Sequence, residues 1–189
     1  MEDIIKIIKE NPTGTRPNWD EYFMTQAILI SSRSSCINVR AGSVITIGNR
    51  LIGSGYNGAP KGIDSCINKG LCVKETKLNK MYSDSLNTGN CIGVHSEMSA
   101  LANINSLLYK DATIYTTIFP CTSCTKTLIT YNIKKIIFKK KYNSQEVNSS
   151  LELIKEANLE IFQLDLSSER TKEIIFGNEK KYYNLWDNN

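Results

Sequence analysis

The sequence predicts an α/β fold with three layers, α/β/α, around a central mixed, mostly parallel sheet of five strands. Segments with strand character alternate with segments of helical periodicity along most of the chain, which is typical of this fold class. Two neighbouring strands are joined by a tight turn, so one pair is antiparallel. The 189 residues, 41% of them hydrophobic and 22% charged, are enough for a sizeable core in one globular domain.

Two helices are predicted before the first of these strands. Isoleucines at helical spacing predict a short helix over residues 1–10, which Asn11-Pro12-Thr13-Gly14 would end. Apolar residues at intervals of three and four predict a longer helix from residue 19 to about residue 33. Asp20 and Glu21 would lie favourably near its positive N-terminal end.

A hairpin and a long polar segment are predicted next. Residues 41–47 and 50–55 are interpreted as two strands with a Gly48-Asn49 turn between them. Residues 61–94 are polar, contain cysteines and show little periodicity. A stretch of this length without regular structure is usually functional or held by something such as a metal.

The second half of the chain alternates between helices and strands. Helices are predicted over 95–105, 121–131 and 151–157, and strands over 113–118, 135–140 and 159–164. The charged segment 168–189 is compatible with a helix or a mobile arm. We therefore expect a single domain over residues 1–189, with its core at about 16–165 and a C-terminal tail at 168–189.

One constellation carries most of the functional information. His95, the only histidine, is followed two residues later by Glu97, and Pro120-Cys121-Thr122-Ser123-Cys124 lies downstream. This is the signature of zinc deaminases: His95, Cys121 and Cys124 supply three ligands, and Glu97 stays free to move protons. A lone His is more often a packed or surface residue, and a lone Cys-x-x-Cys can be a redox pair or half of a structural site. The order and spacing of all the pieces favour a catalytic zinc.

The predicted helix starts suit this chemistry. His95 opens one predicted helix, and Cys121 and Cys124 open another. Helix N-termini carry partial positive charge and unpaired N–H groups, which favour a thiolate over a thiol. We expect the two halves of the motif to meet at one site.

Composition and charge exclude some classes of protein but do not identify the substrate. The net charge of +4 suits an anionic small molecule as well as a polynucleotide. The early acidic residues Glu2 and Asp3 do not fit a signal peptide, and no apolar stretch approaches the length of a membrane span. We expect a cytoplasmic protein, in a host cytoplasm if its origin is viral, without a membrane partner.

Further blocks give the chain a family resemblance. It resembles deoxycytidylate (dCMP) deaminases of the cytidine deaminase-like superfamily from about residue 16 to residue 164. The zinc blocks specify only the superfamily, whereas the Tyr56-Asn57-Gly58-Ala59-Pro60 loop and the opening helix indicate its nucleotide-level branch. The matching blocks lie at 16–24, 33–36, 53–60, 95–98 and 117–124.

The resemblance implies a reaction and candidate substrate contacts. The expected reaction is zinc-dependent hydrolysis of dCMP to dUMP and ammonia, with Glu97 as the proton carrier. Asn57 would hydrogen-bond the deoxyribose, although Asn-Gly is also a standard turn pair. Arg33 is the candidate for the 5′-phosphate, with a surface salt bridge as the alternative. Ser96 stands where the family usually has Ala, and its hydroxyl would adjoin the substrate pocket.

The resemblance also implies a second metal and regulation. Some dCMP deaminases carry a structural zinc in the region of the four remaining cysteines, Cys36, Cys66, Cys72 and Cys91. Free buried thiols are the alternative. Many members are hexamers activated by dCTP and inhibited by dTTP. The loop Gly55, Tyr56, Asn57 and Gly58 lies where such effectors are bound, so a Mg²⁺ ion with the effector is expected as well.

Two other functions compete with this hypothesis. A polynucleotide deaminase acting on tRNA adenosine or cytosine shares the zinc core but needs a basic, aromatic surface. Lys134, Lys135 and Lys139-Lys140-Lys141 form the one candidate patch, which is also what a solvated strand edge would look like. A non-catalytic zinc-binding interaction protein is the second alternative, and the intact Glu97 argues against it. We therefore expect no nucleic-acid partner.

Overall fold

Six strands form the central sheet of the protein, and the computed structural model describes residues 4–75, 91–104, 111–142 and 145–177. The strands are β1 (Lys6–Lys9), β2 (Gly42–Ile47), β3 (Arg50–Tyr56), β4 (Ala112–Ile118), β5 (Lys135–Lys140) and β6 (Glu160–Asp165), in the order β1-β6-β5-β4-β2-β3. Parallel pairing joins β1 to β6, β6 to β5 and β5 to β4, whereas β2 is antiparallel to both β4 and β3. The predicted mixed, mostly parallel sheet is confirmed, but the predicted count of five strands is one too low.

The additional strand is the segment predicted as a helix over residues 1–10, and that prediction is wrong. Residues 6–9 pair in parallel with β6, with Ile8 opposite Leu164. Ile5 packs against one core cluster and Ile8 against the other, so the isoleucines serve both faces of the sheet. Isoleucine is β-branched and favours strands. A helix of this length gains little by itself, and strand pairing outweighs its periodicity.

Helices cover the two faces of the sheet. The helices of the described residues are α1 (Trp19–Ser31), α2 (Cys66–Lys69), α3 (Ser96–Ala102), α4 (Thr122–Thr130), α5 (Gln145–Glu156) and α6 (Ser168–Phe176). Of these, α3, α4 and α5 lie on one face and α1 and α6 on the other. Buried side chains of α3, α4 and α5 share one core cluster, whereas those of α1 form a second cluster against which α6 packs. Adjacent strand residues divide between the clusters, as Ile114 and Tyr115 do, because successive side chains of a strand face opposite ways. The predicted three-layer arrangement is confirmed.

Local sequence signals account for the ends of several elements. Asn18 caps α1 by accepting a hydrogen bond from the Glu21 N–H, and the Glu21 carboxylate accepts one from the Asn18 N–H. The Gly48-Asn49 turn joins β2 to β3, with Gly48 at a φ of 55°. Asn132 ends α4 with a φ of 57°, a conformation that asparagine tolerates better than most residues.

A buried ion pair connects α6 to α1. The Arg170 Nε lies 2.9 Å from a carboxylate oxygen of Glu21, and both side chains are almost completely buried. Arg170 also donates to Glu173 at 2.8 Å and to the Thr15 carbonyl at 3.1 Å. The first part of the predicted tail is therefore a helix packed on the domain, while residues 178–189 lie outside the described residues.

Within the four described ranges, no helix is long and apolar enough to cross a membrane.

Candidate active site

His95, Cys121 and Cys124 meet at the starts of two helices. His95 precedes α3, while Cys121 precedes α4 and Cys124 lies in its first turn. The His95 Nδ1 is 3.4 Å from the Sγ atom of each cysteine. Within the described ranges, these three form the one group of His, Cys, Asp or Glu side chains whose ligand atoms all lie within 4.8 Å of one another. One imidazole and two thiols are a donor set that zinc prefers in catalytic sites.

The three groups also adjust one another's proton affinity. A hydrogen bond from the Cys124 thiol, followed by one from His95, lowers the pKa of Cys121 to about 4. The hydrogen bond to Cys121, together with burial, raises the pKa of Cys124 far above its ordinary range. The hydrogen bond with Cys121 raises the pKa of His95. Cys121 is thus the more acidic of the two thiols, and zinc binding would displace the protons of the ligand groups because metal ligands are deprotonated.

Glu97 lies beside this group without belonging to it. It sits in the first turn of α3 with 5% of its surface exposed. Its carboxyl group is close enough to Cys124 to help raise the pKa of that thiol. Burial raises the pKa of Glu97, since charge is disfavoured away from water. A carboxyl group at this position can exchange protons with a molecule bound at the ligand atoms.

Three buried hydroxyl side chains form a hydrogen-bonded chain that ends on this carboxylate, and sequence reasoning missed two of them, Ser43 and Thr116. The Ser96 hydroxyl donates to a Glu97 oxygen at 3.0 Å, and the Ser43 Oγ lies 2.8 Å from the Ser96 Oγ. Thr116 Oγ1 lies 3.0 Å from the Ser43 Oγ. The available signal was that both residues lie on mostly buried strands, β2 and β4, where a hydroxyl group needs a hydrogen-bond partner.

The predicted substrate residues lie in different surroundings. The Asn57 side chain donates to the Val39 carbonyl and accepts from the Ala41 N–H, each at 2.8 Å, so it holds the neighbouring loop. Arg33 is exposed just beyond α1 and forms no ion pair with the described residues. Ser96 is only 1% exposed, and its hydroxyl has protein partners. Substrate contact by these three residues stays a prediction.

The loop predicted to bind an effector begins with a glycine packed under α3. A Cβ on Gly55 would overlap the Ala100 backbone nitrogen and lie 2.6 Å from the Ser96 carbonyl oxygen. At the other end of the loop, Gly58 pairs with Val94 in an isolated β-bridge. The close approach of β3 and α3 therefore depends on the missing side chain of Gly55. Effector binding by this loop stays a prediction.

Replacing Gly55 with Ala should push the start of α3 away from β3. We expect a loss of about 1–3 kcal/mol in the free energy of unfolding, typical of overpacked cores. Any catalytic activity should fall as well, because His95 and Glu97 move with the helix. Gly93→Ala is the matched control, since its Cβ would meet Cys91 Sγ at an ordinary 3.4 Å. Equal urea midpoints for the two variants would contradict this role of Gly55.

The four remaining cysteines lie near one another but not in a metal-binding arrangement. Cys66 and Cys72 are buried, Cys36 and Cys91 are half-buried, and all four are free. Burial raises the pKa of the Cys91 thiol, and repulsion from the other three thiols raises it further. Their sulfur atoms do not form a group within 4.8 Å in the part of the chain that the structure describes. The geometry gives the predicted second zinc site no support.

The chain is similar in sequence to known deaminases. The sequence model of the cytidine and deoxycytidylate deaminase zinc-binding region matches residues 17–140. Deoxycytidylate deaminase of Schizosaccharomyces pombe is 34% identical over 142 residues, covering 75% of this chain and 43% of the relative. The human deoxycytidylate deaminase is 34% identical over 138 residues, covering 72% of this chain and 73% of the relative. This chain thus spans less than half the length of the fission-yeast protein.

A solved structure supports the fold. The dCMP deaminase of the cyanophage S-TIM5, crystallised in complex with dCMP and dUMP, superimposes with a TM-score of 0.61 at 21% identity. The match covers 79% of this chain and 98% of the phage protein.

Proposed function

Because this chain belongs to the cytidine and deoxycytidylate deaminase zinc-binding family, we propose that it hydrolyses dCMP to dUMP and ammonia at a zinc site. The observation that carries the proposal is the convergence of His95 Nδ1, Cys121 Sγ and Cys124 Sγ beside the buried Glu97. The relatives named as deoxycytidylate deaminases support the choice of substrate.

The metal ligands and Glu97 have separate roles in the proposed reaction. His95, Cys121 and Cys124 would hold the zinc, which when bound makes water a stronger acid and so a better nucleophile near neutral pH. Glu97 takes a proton from the attacking water and places it on N3 of the cytosine ring. A bond forms between oxygen and C4, and the bond from C4 to the amino nitrogen then breaks. Glu97 delivers the second water proton to the leaving amino group, so dCMP and water become dUMP and ammonia.

The test is a parallel assay on zinc-loaded protein. Ammonia release is measured with dCMP, CMP, deoxycytidine, dCTP and a tRNA anticodon stem-loop, before and after zinc is removed with a chelator. We expect turnover of dCMP that is lost with the metal and restored by zinc. Turnover of the stem-loop alone would indicate a polynucleotide deaminase. No turnover of any substrate would indicate a non-catalytic binding protein.

The lysine cluster at 134–141 gives the polynucleotide alternative little support. The Lys135 Nζ lies 5.1 Å from the centre of the Phe162 ring, and Lys139 donates a hydrogen bond to the Leu166 carbonyl. Burial lowers the pKa of Lys139. Lys135 and Lys139 therefore make contacts within the protein, which leaves fewer lysines of this cluster to bind phosphates.

A second zinc held by Cys36, Cys66, Cys72 and Cys91 is a separate proposal that rests on the family resemblance alone. Four thiolates around one zinc would form a closed structural site. Metal analysis of purified protein should then give two zinc ions per chain, falling to one in Cys72→Ser with the activity retained. One zinc per chain in the unaltered protein would exclude the second site.

Regulation and assembly are proposals that rest on the resemblance of the loop at 55–58. We expect dCTP with Mg²⁺ to raise the turnover of dCMP, dTTP to lower it, and the chain to form a homohexamer. Tyr56, which is 37% exposed, is the side chain of this loop that is best placed to contact an effector. Adding each nucleotide to the assay tests regulation, and light scattering at several protein concentrations tests assembly.

A further inference from the structure

A chain of buried hydroxyl groups runs from the sheet to the Glu97 carboxylate. Thr116 lies on β4, Ser43 on β2 and Ser96 in the first turn of α3. All three residues are at most 1% exposed, so water does not compete for their hydroxyls. The successive oxygen–oxygen distances are 3.0 Å from Thr116 to Ser43, 2.8 Å from Ser43 to Ser96 and 3.0 Å from Ser96 to Glu97.

When Glu97 is ionised, counting hydrogens fixes the direction of this chain from Ser43 to Glu97. A hydroxyl group carries one hydrogen and can also accept. Because a carboxylate only accepts, Ser96 donates to Glu97 and must accept from Ser43. The single hydrogen of Ser43 is then used, so its contact with Thr116 is a hydrogen bond when Thr116 is the donor. Thr116 has the Ile118 carbonyl, also 3.0 Å away, as its other acceptor. The hydrogens of Ser43 and Ser96 therefore point toward Glu97, and the single hydrogen of Thr116 goes either to Ser43 or to the Ile118 carbonyl.

The placement of the chain links the two halves of the metal site. Its far end lies on β4, the strand that leads through Pro120 to Cys121, and its near end lies on the helix that follows His95. Hydrogen bonds in such a chain polarise and strengthen one another in a low-dielectric interior. A carboxylate held this way loses rotational freedom relative to the cysteine ligands.

We propose that Ser96 is a positioning residue for Glu97, held in turn by Ser43 and Thr116, and not a substrate contact. This inference rests on the proposed function, in which Glu97 carries protons during the hydrolysis of dCMP. Catalytic groups must stay within about 0.5 Å of their productive geometry, and a neighbouring side chain with its own fixed partners provides that constraint.

The test compares Ser96→Ala, Ser43→Ala and Thr116→Val with the unaltered zinc-loaded protein. We expect Ser96→Ala to lower kcat for dCMP about 10- to 100-fold, as small misplacements of catalytic groups do, while KM stays unchanged. Ser43→Ala and Thr116→Val should give smaller decreases in the same order. A second readout is calorimetric binding of a nucleotide whose ring carries a tetrahedral, hydroxyl-bearing C4. Its affinity should fall in parallel with kcat, whereas the affinity for dUMP should not.

Thr25→Val is the matched control. Thr25 is buried on α1 in the opposite helical layer, and its hydroxyl has no hydrogen-bond partner among the described residues. Removing it should change neither readout. Unchanged kcat and unchanged analogue binding in folded Ser96→Ala and Ser43→Ala would overturn the inference, as would a raised KM with weaker dUMP binding. Unaltered protein that does not turn over dCMP would instead overturn the proposed function, and the inference with it.

Discussion

Replacing Glu97 with Gln should lower kcat for dCMP by about 10²- to 10⁴-fold, the usual contribution of a general acid–base group. The amide has nearly the shape of the carboxyl group but cannot take a proton from water and return it to the leaving nitrogen. Glu97 is outside the group of three ligand residues, so the zinc content should stay the same. Steady-state kinetics and metal analysis on the same sample measure both quantities.

A surface glutamate provides the control for this change. Glu152 is exposed on α5, and Glu152→Gln removes the same charge away from the site. Its kcat should equal that of the unaltered protein. Glu97→Gln with more than a tenth of the original kcat, or with its zinc lost, would contradict the proton-carrying role.

Replacing Arg170 with Met should destabilise the protein by about 3–5 kcal/mol, because it leaves the Glu21 carboxylate buried without its counter-ion. For a chain of this size the melting temperature should fall by about 6–20 °C. The double variant Glu21→Gln with Arg170→Met should recover part of the loss, since no buried charge then remains. Calorimetric melting of the three proteins measures the effect.

An exposed ion pair is the matched control for the buried one. Lys9 and Asp165 lie 2.6 Å apart, with 74% and 65% of their side chains exposed. Lys9→Ala should cost less than about 1 kcal/mol, as surface pairs usually do. A loss in Arg170→Met no larger than that in Lys9→Ala would show that the buried pair does not hold α6 in place.

The same pair makes stability depend on pH. Burial alone would raise the pKa of Glu21, but hydrogen bonds from Arg170 and from the N–H groups of Asn18 and Asn11 outweigh it and lower the pKa below 4.5. The contribution of Glu21 is therefore fully present above pH 4.5 and is lost as the pH falls through the lower value of the folded state. Urea unfolding at several acidic pH values should show a shallower loss for Glu21→Gln than for the unaltered protein. Parallel curves would contradict this.

The sequence allowed the candidate metal site and most of the layers to be predicted for definite physical reasons. His95, Cys121 and Cys124 were found because zinc chemistry restricts both residue type and spacing. The β2–β3 hairpin was found because Gly48-Asn49 suits only a tight turn. The helix at 19–33 was found because its apolar spacing and its acidic first turn agree. Each of these signals is local in the chain.

What could not be predicted depends on distant partners. The strand β1 exists because β6, more than 150 residues away, supplies its hydrogen bonds. Ser43 and Thr116 look like ordinary strand residues until the fold places Ser43 between Thr116 and Ser96. Arg170 lay in a segment interpreted as a tail, and its partner Glu21 is on the first helix. No local pattern records such pairings.

The most direct measurement is an anomalous difference map at the zinc absorption edge. Crystals of Glu97→Gln grown with zinc and dCMP would hold the nucleotide without turning it over. We expect a peak bonded to His95 Nδ1, Cys121 Sγ and Cys124 Sγ, with C4 of the cytosine ring between this peak and residue 97. Zinc at other residues, or dCMP bound with its C4 away from the metal, would contradict a zinc-dependent dCMP deaminase site at these residues.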